Sequence, residues 1–168
     1  MPIVASDLAL FRSLFFHRSD VHAEMFRFKS GSRFGDIGYS PACDNRWVKP
    51  LCNDGKCRQC RNFLATALSD EVLHQHFRGE RTLGTYLVDR QQQVNLLVLD
   101  VDIDKAQTEH PEVYRERVKE LTRHLYGLAG QHGLTAYIEN SGNKGYHLWL
   151  FFESAIPAAQ AQTLGAWL

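Results

Sequence analysis

The sequence has little of three things that would classify it at once: long apolar runs, dispersed cysteines and net charge. No stretch approaches the roughly 20 apolar residues that span a bilayer, and no basic region followed by an apolar one opens the chain. We therefore expect no membrane association, no secretion signal and a cytoplasmic location. All four cysteines lie between residues 43 and 60, which favours a metal site in a reducing compartment over dispersed disulfides.

The composition predicts a compact domain without an overall cationic surface. Lysine and arginine match aspartate and glutamate at 19 each, and 44% of the residues are hydrophobic. The 168 residues therefore allow one domain with a sizeable core and a small appendage. Residues 1–61 nevertheless carry 10 basic against 6 acidic side chains, and the remainder has the opposite excess. A basic half beside an acidic half suits a polyanion held near bound cations.

The periodicity of the chain predicts an α/β (α+β) fold in two parts. In residues 1–93 we expect an N-terminal αβ unit with a helix at 8–15, a strand at 21–28, an irregular segment at 29–61, a helix at 62–77 in which residues 69–71 mark an alternative start, and a strand at 83–88. Residues 94–168 predict the order β-α-β-β-α, with strands at 94–101, 134–138 and 146–152 and helices at 111–128 and from 157. A split βαβ unit would continue with a fourth strand, so we expect either a fragment that lacks this strand or a protein whose sheet is completed differently.

Two carboxylates and a histidine mark the ends of two of these strands. Asp100 and Asp102 close one long apolar run, and His147 opens another. Alternation along a strand turns Asp100 and Asp102 the same way, with Asp104 in the exit loop as the weakest of the three acids. If the two strands pair antiparallel, His147 meets the carboxylates, and Mg²⁺ or Mn²⁺ would neutralise their mutual repulsion.

The loop before the histidine adds groups that suit a phosphate. Gly142 and Gly145 let the backbone approach a ligand, and Ser141 and Lys144 supply a hydroxyl and a positive charge. Each feature also has an ordinary explanation, as a solvated strand end, a hairpin turn or a structural histidine. Their joint occurrence favours a site for a metal-bound nucleoside triphosphate.

The cysteines form a closely spaced set. Cys43, Cys52, Cys57 and Cys60 offer four thiolates to a closed, structural zinc site, and residues 55–56 resemble the turn of a zinc knuckle. A segment this poor in apolar residues needs another source of order. Free thiols, disulfides and a redox Cys-x-x-Cys remain the alternatives. The basic residues of this segment either contact nucleic-acid phosphates or are solvated surface charges.

These residues resemble the archaeo-eukaryotic primase superfamily. The segment Leu99-Asp100-Val101-Asp102 is similar to its strand-borne Asp-x-Asp, and the segment from Ser141 to Trp149 to its later serine and histidine element. The first half of the chain is closer to the primase-polymerases of CRISPR loci and TOTE-type conflict systems. That closer resemblance rests on the cysteines and on motifs at 18–21, 38–47, 76–79 and 83–86. The similarity covers the chain from about residue 12 to residue 165.

The resemblance implies an RRM-like catalytic sheet, preceded by an αβ unit with an inserted zinc knuckle. In its terms Asp100 and Asp102 would bind catalytic Mg²⁺ or Mn²⁺. A third acid, expected on the next strand, is missing, because Glu153 lies on the histidine strand itself. The remaining site residues would hold the phosphates of the incoming nucleotide: Ser141, Gly142, Lys144 and His147.

The function implied by the resemblance is that of a DNA primase or primase-polymerase core acting on ribo- or deoxyribonucleoside triphosphates. Its partners would be a single-stranded DNA template and a primer, with helicase, nuclease or Cas proteins as candidate associates. Two competing interpretations stay open. One is a non-catalytic zinc-knuckle module that binds nucleic acid and keeps the acids as remnants. The other is a metal-dependent nuclease or another phosphotransferase that uses the same acids.

Overall fold

The computed structural model describes residues 3–52, 57–102, 111–142 and 144–168. The chain divides into two compact units, Met1–Asp89 and Arg90–Leu168. The described residues form four α-helices and two three-stranded antiparallel sheets. The α+β class expected from the sequence is therefore confirmed. None of the described helices has both the length and the apolarity that crossing a bilayer requires.

The first unit contains two helices and a small sheet. Its elements are α1 (Ala5–Phe15), β1 (Ala23–Arg27), β2 (Ile37–Pro41), α2 (Asp70–Phe77) and β3 (Leu83–Gly84). Strand β1 lies in the middle and pairs antiparallel with both neighbours. The core of this unit joins the helices, because Leu8 of α1 and Leu73 of α2 are buried together with Phe16.

Three expectations for this unit are wrong. The segment predicted to be irregular contains β2, and the strand predicted at 83–88 is only two residues long. The helix predicted from residue 62 begins at Asp70, where Ser69 caps it by accepting a hydrogen bond from the Val72 amide at 3.3 Å. Residues before the cap pair with a distant segment instead, through a β-bridge between Cys43 and Ala65. That long-range pairing holds the backbone extended.

The second unit follows the order that the sequence predicts. Its elements are β4 (Gln93–Val101), α3 (Pro111–Gln131), β5 (Ala136–Asn140), β6 (Tyr146–Pro157) and α4 (Ala158–Trp167). Strand β6 lies between β4 and β5 and is antiparallel to both. Strands β4 and β5 are therefore parallel to each other, with α3 as the crossover, which is a split βαβ arrangement.

Both helices of the second unit pack on the same face of its sheet. Leu148 and Leu150 of β6 are buried against Ala129 of α3, with Leu97 of β4 at the edge of this cluster. Helix α4 reaches the same face at Gly165, where a Cβ would lie only 3.3 Å from Leu97. Side chains of a strand alternate between faces, so the intervening residues of each strand belong to the opposite face.

We expect Leu148→Ala to destabilise the second unit by about 2–5 kcal/mol, because the side chain is fully buried and its removal leaves a cavity. Urea unfolding followed by circular dichroism measures this loss. Leu121→Ala is the control, since Leu121 of α3 is 49% exposed and its truncation should change stability by about 0.5 kcal/mol or less. Equal losses in the two variants would contradict this description of the core.

Candidate functional site

Asp100 lies directly opposite His147 in the β4–β6 ladder. The Nε2 atom of His147 is 3.9 Å from Oδ1 of Asp100, and 72% of the aspartate side chain is exposed. The strand adjacency expected from the sequence is thus present. The pair brings a carboxylate and an imidazole together at the end of the sheet, where both remain open to a ligand.

Asp102 follows the end of β4 and lies beside the β5–β6 loop. Val101, between the two aspartates, is buried against Val118 of α3, so alternation turns Asp100 and Asp102 away from that helix. The Nζ atom of Lys144 is 3.4 Å from Oδ2 of Asp102. Asp104, the third acid considered from the sequence, lies outside the described residues.

Gly145 allows the loop to reach the end of β4. A Cβ at this position would overlap the carbonyl oxygen of Val101 and lie 3.0 Å from the Cα of Asp102. Backbone atoms cannot move aside as a flexible side chain can, so any larger residue would push Lys144 away from Asp102. The close approach of loop and strand therefore requires glycine here.

Hydrogen bonds within the loop fix the positions of Ser141 and Gly142. The amide of Ser141 donates to the carbonyl of Gly145 at 3.0 Å, and the amide of Gly145 donates to the Ser141 hydroxyl at 3.2 Å. Gly142 has φ +77°, a conformation that glycine adopts without strain, and its amide donates to Oδ1 of Asn140. The Ser141 hydroxyl is therefore an acceptor inside the loop, and only its own proton is left to offer a phosphate.

Glu139 is a further residue of the site that the sequence analysis missed. It pairs with His147 across β5 and β6, and its Oε2 lies 2.9 Å from Nδ1 of His147 and 2.8 Å from the indole nitrogen of Trp149. A carboxylate only accepts hydrogen bonds, so Nδ1 of His147 carries a proton. The hydrogen bond from His147, together with that from Trp149, holds the pKa of Glu139 below its ordinary value.

The glycine-rich loop also borders a cavity of about 300 Å³. Its lining includes Lys144 and Gly145 from the loop and Arg115 and Lys119 from α3, with Glu116 as the acidic member. The two basic residues of α3 are four positions apart and so lie on one face of the helix. The sequence could have indicated this cavity. Arg115 and Lys119 form an i,i+4 basic pair near the start of the helix that follows the Asp-x-Asp strand. This cavity suits an anionic group.

The described residues contain no group of three or more His, Cys, Asp or Glu side chains arranged to hold a metal ion. At the strand end the donors are two carboxylates, Asp100 and Asp102. Two carboxylates completed by substrate phosphates are a usual donor set for Mg²⁺, so the residues fit a divalent ion bound jointly with a nucleotide.

The four cysteines are half-buried, and three of them act electrostatically on Cys57. Burial raises the pKa of the Cys57 thiol, and so do Cys52, Cys43 and Cys60, whereas Arg46 lowers it. The thiols therefore lie within electrostatic range of one another without surrounding a common point. Four thiolates are the donor set of a closed zinc site, and zinc would relieve their repulsion. Residues 55–56, expected to form the knuckle turn, lie outside the described residues.

Motif residues of the first unit hold one another in place. Arg18 forms an ion pair with Asp20, with Nε 2.8 Å from Oδ1, and its guanidinium lies 5.6 Å from the centre of the Tyr86 ring. Burial raises the pKa of Tyr86, whereas the charge of Arg18 lowers it. Residues from two distant motifs thus form one cluster, in which Arg18 links the carboxylate to the ring.

Comparison with known protein families identifies a match for this chain. The family model for the archaeo-eukaryotic primase domain of the TOTE conflict system matches residues 6–168, which is nearly the whole chain. No curated protein matches it.

The depressed pKa of Glu139 predicts a transition at low pH. Because the hydrogen bonds from His147 and Trp149 favour the carboxylate, it should stay charged as the pH falls through its ordinary value of 4.5. The stability that this pair contributes is present above that pH and is lost at lower pH. The indole N–H resonance of Trp149, followed by NMR, should titrate with a midpoint below 4.5.

Two variants test this assignment. The transition should be absent in Glu139→Gln and unchanged in Glu153→Gln, which alters an exposed residue farther along β6. A midpoint at or above 4.5 in the unaltered chain, or its persistence in Glu139→Gln, would refute the assignment.

Proposed function

This chain belongs to the archaeo-eukaryotic primase domain family of TOTE conflict systems, and we propose that it is the catalytic core of a primase-polymerase. It would join nucleotides from nucleoside triphosphates on a DNA template by metal-dependent nucleotidyl transfer. The observation that carries this proposal is the register of β4 and β6, which sets Asp100 opposite His147 with Asp102 and Lys144 beside them. Acidic and basic groups thus adjoin at one sheet end, as a metal-bound triphosphate requires.

The two aspartates are the residues that would hold Mg²⁺ or Mn²⁺. A divalent ion supplies positive charge that neutralises the phosphates and lowers the pKa of the attacking 3′-hydroxyl. Asp100 and Asp102 protrude from the end of β4 on the side away from Val118. Lys144 lies beside Asp102. A divalent cation that binds Asp102 would displace the Lys144 ammonium from the carboxylate, and the ammonium would then contact a phosphate oxygen.

His147 and Glu139 would act together on the triphosphate. Glu139 accepts a hydrogen bond from Nδ1, which fixes the orientation of the imidazole. Nε2 therefore lies on the side of Asp100, where it would face a bound phosphate. The Trp149 indole, bound to the same carboxylate oxygen, keeps Glu139 in position. The imidazole would therefore be oriented before the nucleotide arrives, which lowers the entropic cost of binding.

The loop and the cavity would receive the rest of the triphosphate. Gly145 brings the loop against the end of β4, and Arg115 and Lys119 add two positive charges to the cavity that Lys144 also lines. A chain of phosphates bound at the aspartates would thus meet successive cations, as the charge of a triphosphate demands.

We expect Asp100→Asn and Asp102→Asn each to reduce nucleotide incorporation by about 100-fold or more, because a neutral amide binds a divalent ion far less well. The assay incubates the chain with a primed DNA template, labelled triphosphates and Mn²⁺. Glu153→Gln, which alters an exposed acid on β6, is the control and should keep full activity. Shortened strands in place of extended ones would favour a nuclease, and unchanged extension by both aspartate variants would refute the catalytic assignment.

We also propose that the thiols bind one structural zinc ion. Native mass spectrometry of the purified chain should show about one zinc per molecule, since four thiolates complete a tetrahedral site. Cys57→Ser should lose the metal and lower the melting temperature, because metal binding and folding of such a segment are coupled. Leu51→Ala, which alters an exposed residue of the same segment, should keep the zinc. A zinc-free chain, or full retention of zinc by Cys57→Ser, would refute this proposal.

A further inference from the structure

Five aromatic and cationic side chains of the first unit form a continuous stack. The members come from β1, the β1–β2 connection and the turn that follows Cys43, and we call them the arginine–aromatic stack: Arg33, Phe28, Phe26, Arg46 and Trp47. Neither the family match nor the candidate catalytic site assigns a role to it.

The contacts within the stack are close from end to end. The guanidinium of Arg33 lies 4.0 Å from the centre of the Phe28 ring, and the rings of Phe28 and Phe26 are 5.0 Å apart. Arg46 then lies between two rings, 4.7 Å from Phe26 and 5.0 Å from Trp47. Cation–π contacts of this kind order a long arginine side chain, so both charges are held at defined positions on the surface.

The sheet is shaped to carry these rings. Phe26 and Phe28 are two residues apart along β1 and its extension, so they share a face. Gly38 lies opposite Phe26 in the ladder, and a Cβ there would come within 2.7 Å of the Phe26 ring and 3.0 Å of the Phe28 ring. The rings therefore cover the space that a side chain of β2 would otherwise fill.

The backbone conformation of Trp47 and the solvent exposure of its side chain are both energetically unfavourable. Its φ is +66°, in the left-handed region that non-glycine residues rarely adopt, and 61% of its surface is exposed. The turn is closed by the amide of Arg46, which donates to the carbonyl of Cys43 at 3.0 Å. Strain kept at an exposed aromatic residue points to a role in binding, since burial gains nothing there.

The charge around the stack complements a polyanion. Residues 26–49 contain five arginine or lysine residues and two aspartates. One aspartate, Asp36, pairs with Arg33, and the other, Asp44, accepts a hydrogen bond from Thr66 at 2.6 Å. The hairpin also exposes 75% of Phe34, beside Arg33. Exposed rings among positive charges are the combination that binds single strands, because bases stack on the rings and phosphates meet the cations.

We propose that the arginine–aromatic stack binds single-stranded DNA, with bases stacked on Trp47 and phosphates held near Arg46 and Arg33. The choice of DNA rests on the proposed function, in which a template strand is copied. The binding itself needs neither nucleotide nor divalent metal. The arginine–aromatic stack would hold the strand through the strand's flexible, unpaired bases, which a duplex does not offer.

The test measures binding of a labelled single-stranded oligonucleotide to the whole chain by fluorescence anisotropy, without nucleotide or added divalent metal. We expect Trp47→Ala to weaken binding about tenfold, the usual loss of a base-stacking partner, and Trp47→Phe to keep most of the affinity. Arg46→Gln should weaken binding and lower the slope of log Kd against log salt concentration by about one. Trp167→Ala and Arg123→Gln alter exposed residues of the second unit and serve as matched controls.

The outcomes separate this surface from the catalytic proposal. Asp100→Asn should bind the strand as tightly as the unaltered chain, because it leaves the stack intact. If the Kd of Trp47→Ala for the strand is within twofold of that of the unaltered chain, the stack is not the binding surface. The same holds if Trp47→Ala loses no more affinity than Trp167→Ala. Tighter binding to duplex DNA or to RNA of the same sequence would also overturn the proposal. Absence of strand extension by the unaltered chain, with stack-dependent binding retained, would overturn only the catalytic role.

Discussion

The antiparallel pairing of β4 with β6 is the constraint on which the candidate site depends. Side chains alternate along both strands, so the burial of Leu148 and Leu150 against α3 forces His147 and Trp149 to the opposite face. A slip of one residue would exchange the two sets and bury the histidine. The core thus fixes the register, and the register sets Asp100 opposite His147 and Glu139 on the other side of the same imidazole.

Around this strand pairing, the acidic side chains and the basic side chains occupy two adjacent regions. Carboxylates lie along the strand ends, at Asp100 and Asp102, where a divalent cation would reduce their repulsion. Basic groups lie on the loop and on α3, at Lys144 and Lys119. The loop joins the two regions because Gly145 has no side chain to hold it away from β4. A divalent cation at the carboxylates and phosphates at the basic groups would therefore lie next to each other. Each set of protein charges would then face a partner of opposite charge.

The first unit differs in how its order is maintained. Its helices share a small apolar core around Leu73, but the segment between β2 and α2 is ordered by hydrogen bonds, by a β-bridge and by arginine–ring contacts. Cys43 contributes to this order by bridging to Ala65, and Arg46 by lying between two aromatic rings. Such a segment can present exposed aromatic and basic groups, because its backbone is fixed without burying them.

The sequence by itself determined the order β-α-β-β-α after residue 93 and the α+β class, and it pointed to Asp100, Asp102 and His147 as candidate site residues, since these depend on local periodicity and residue chemistry. Only the tertiary structure decided the rest. It shortened the helix predicted from residue 62, since Ala65 pairs with Cys43 instead, and it formed β2 in a segment whose glycine predicted a loop. It brought Glu139 to His147 and Arg46 between two rings. These contacts join residues that are distant in sequence or on neighbouring strands. The free energy that stabilises them comes from strand pairing and side-chain packing, which a local sequence pattern does not indicate.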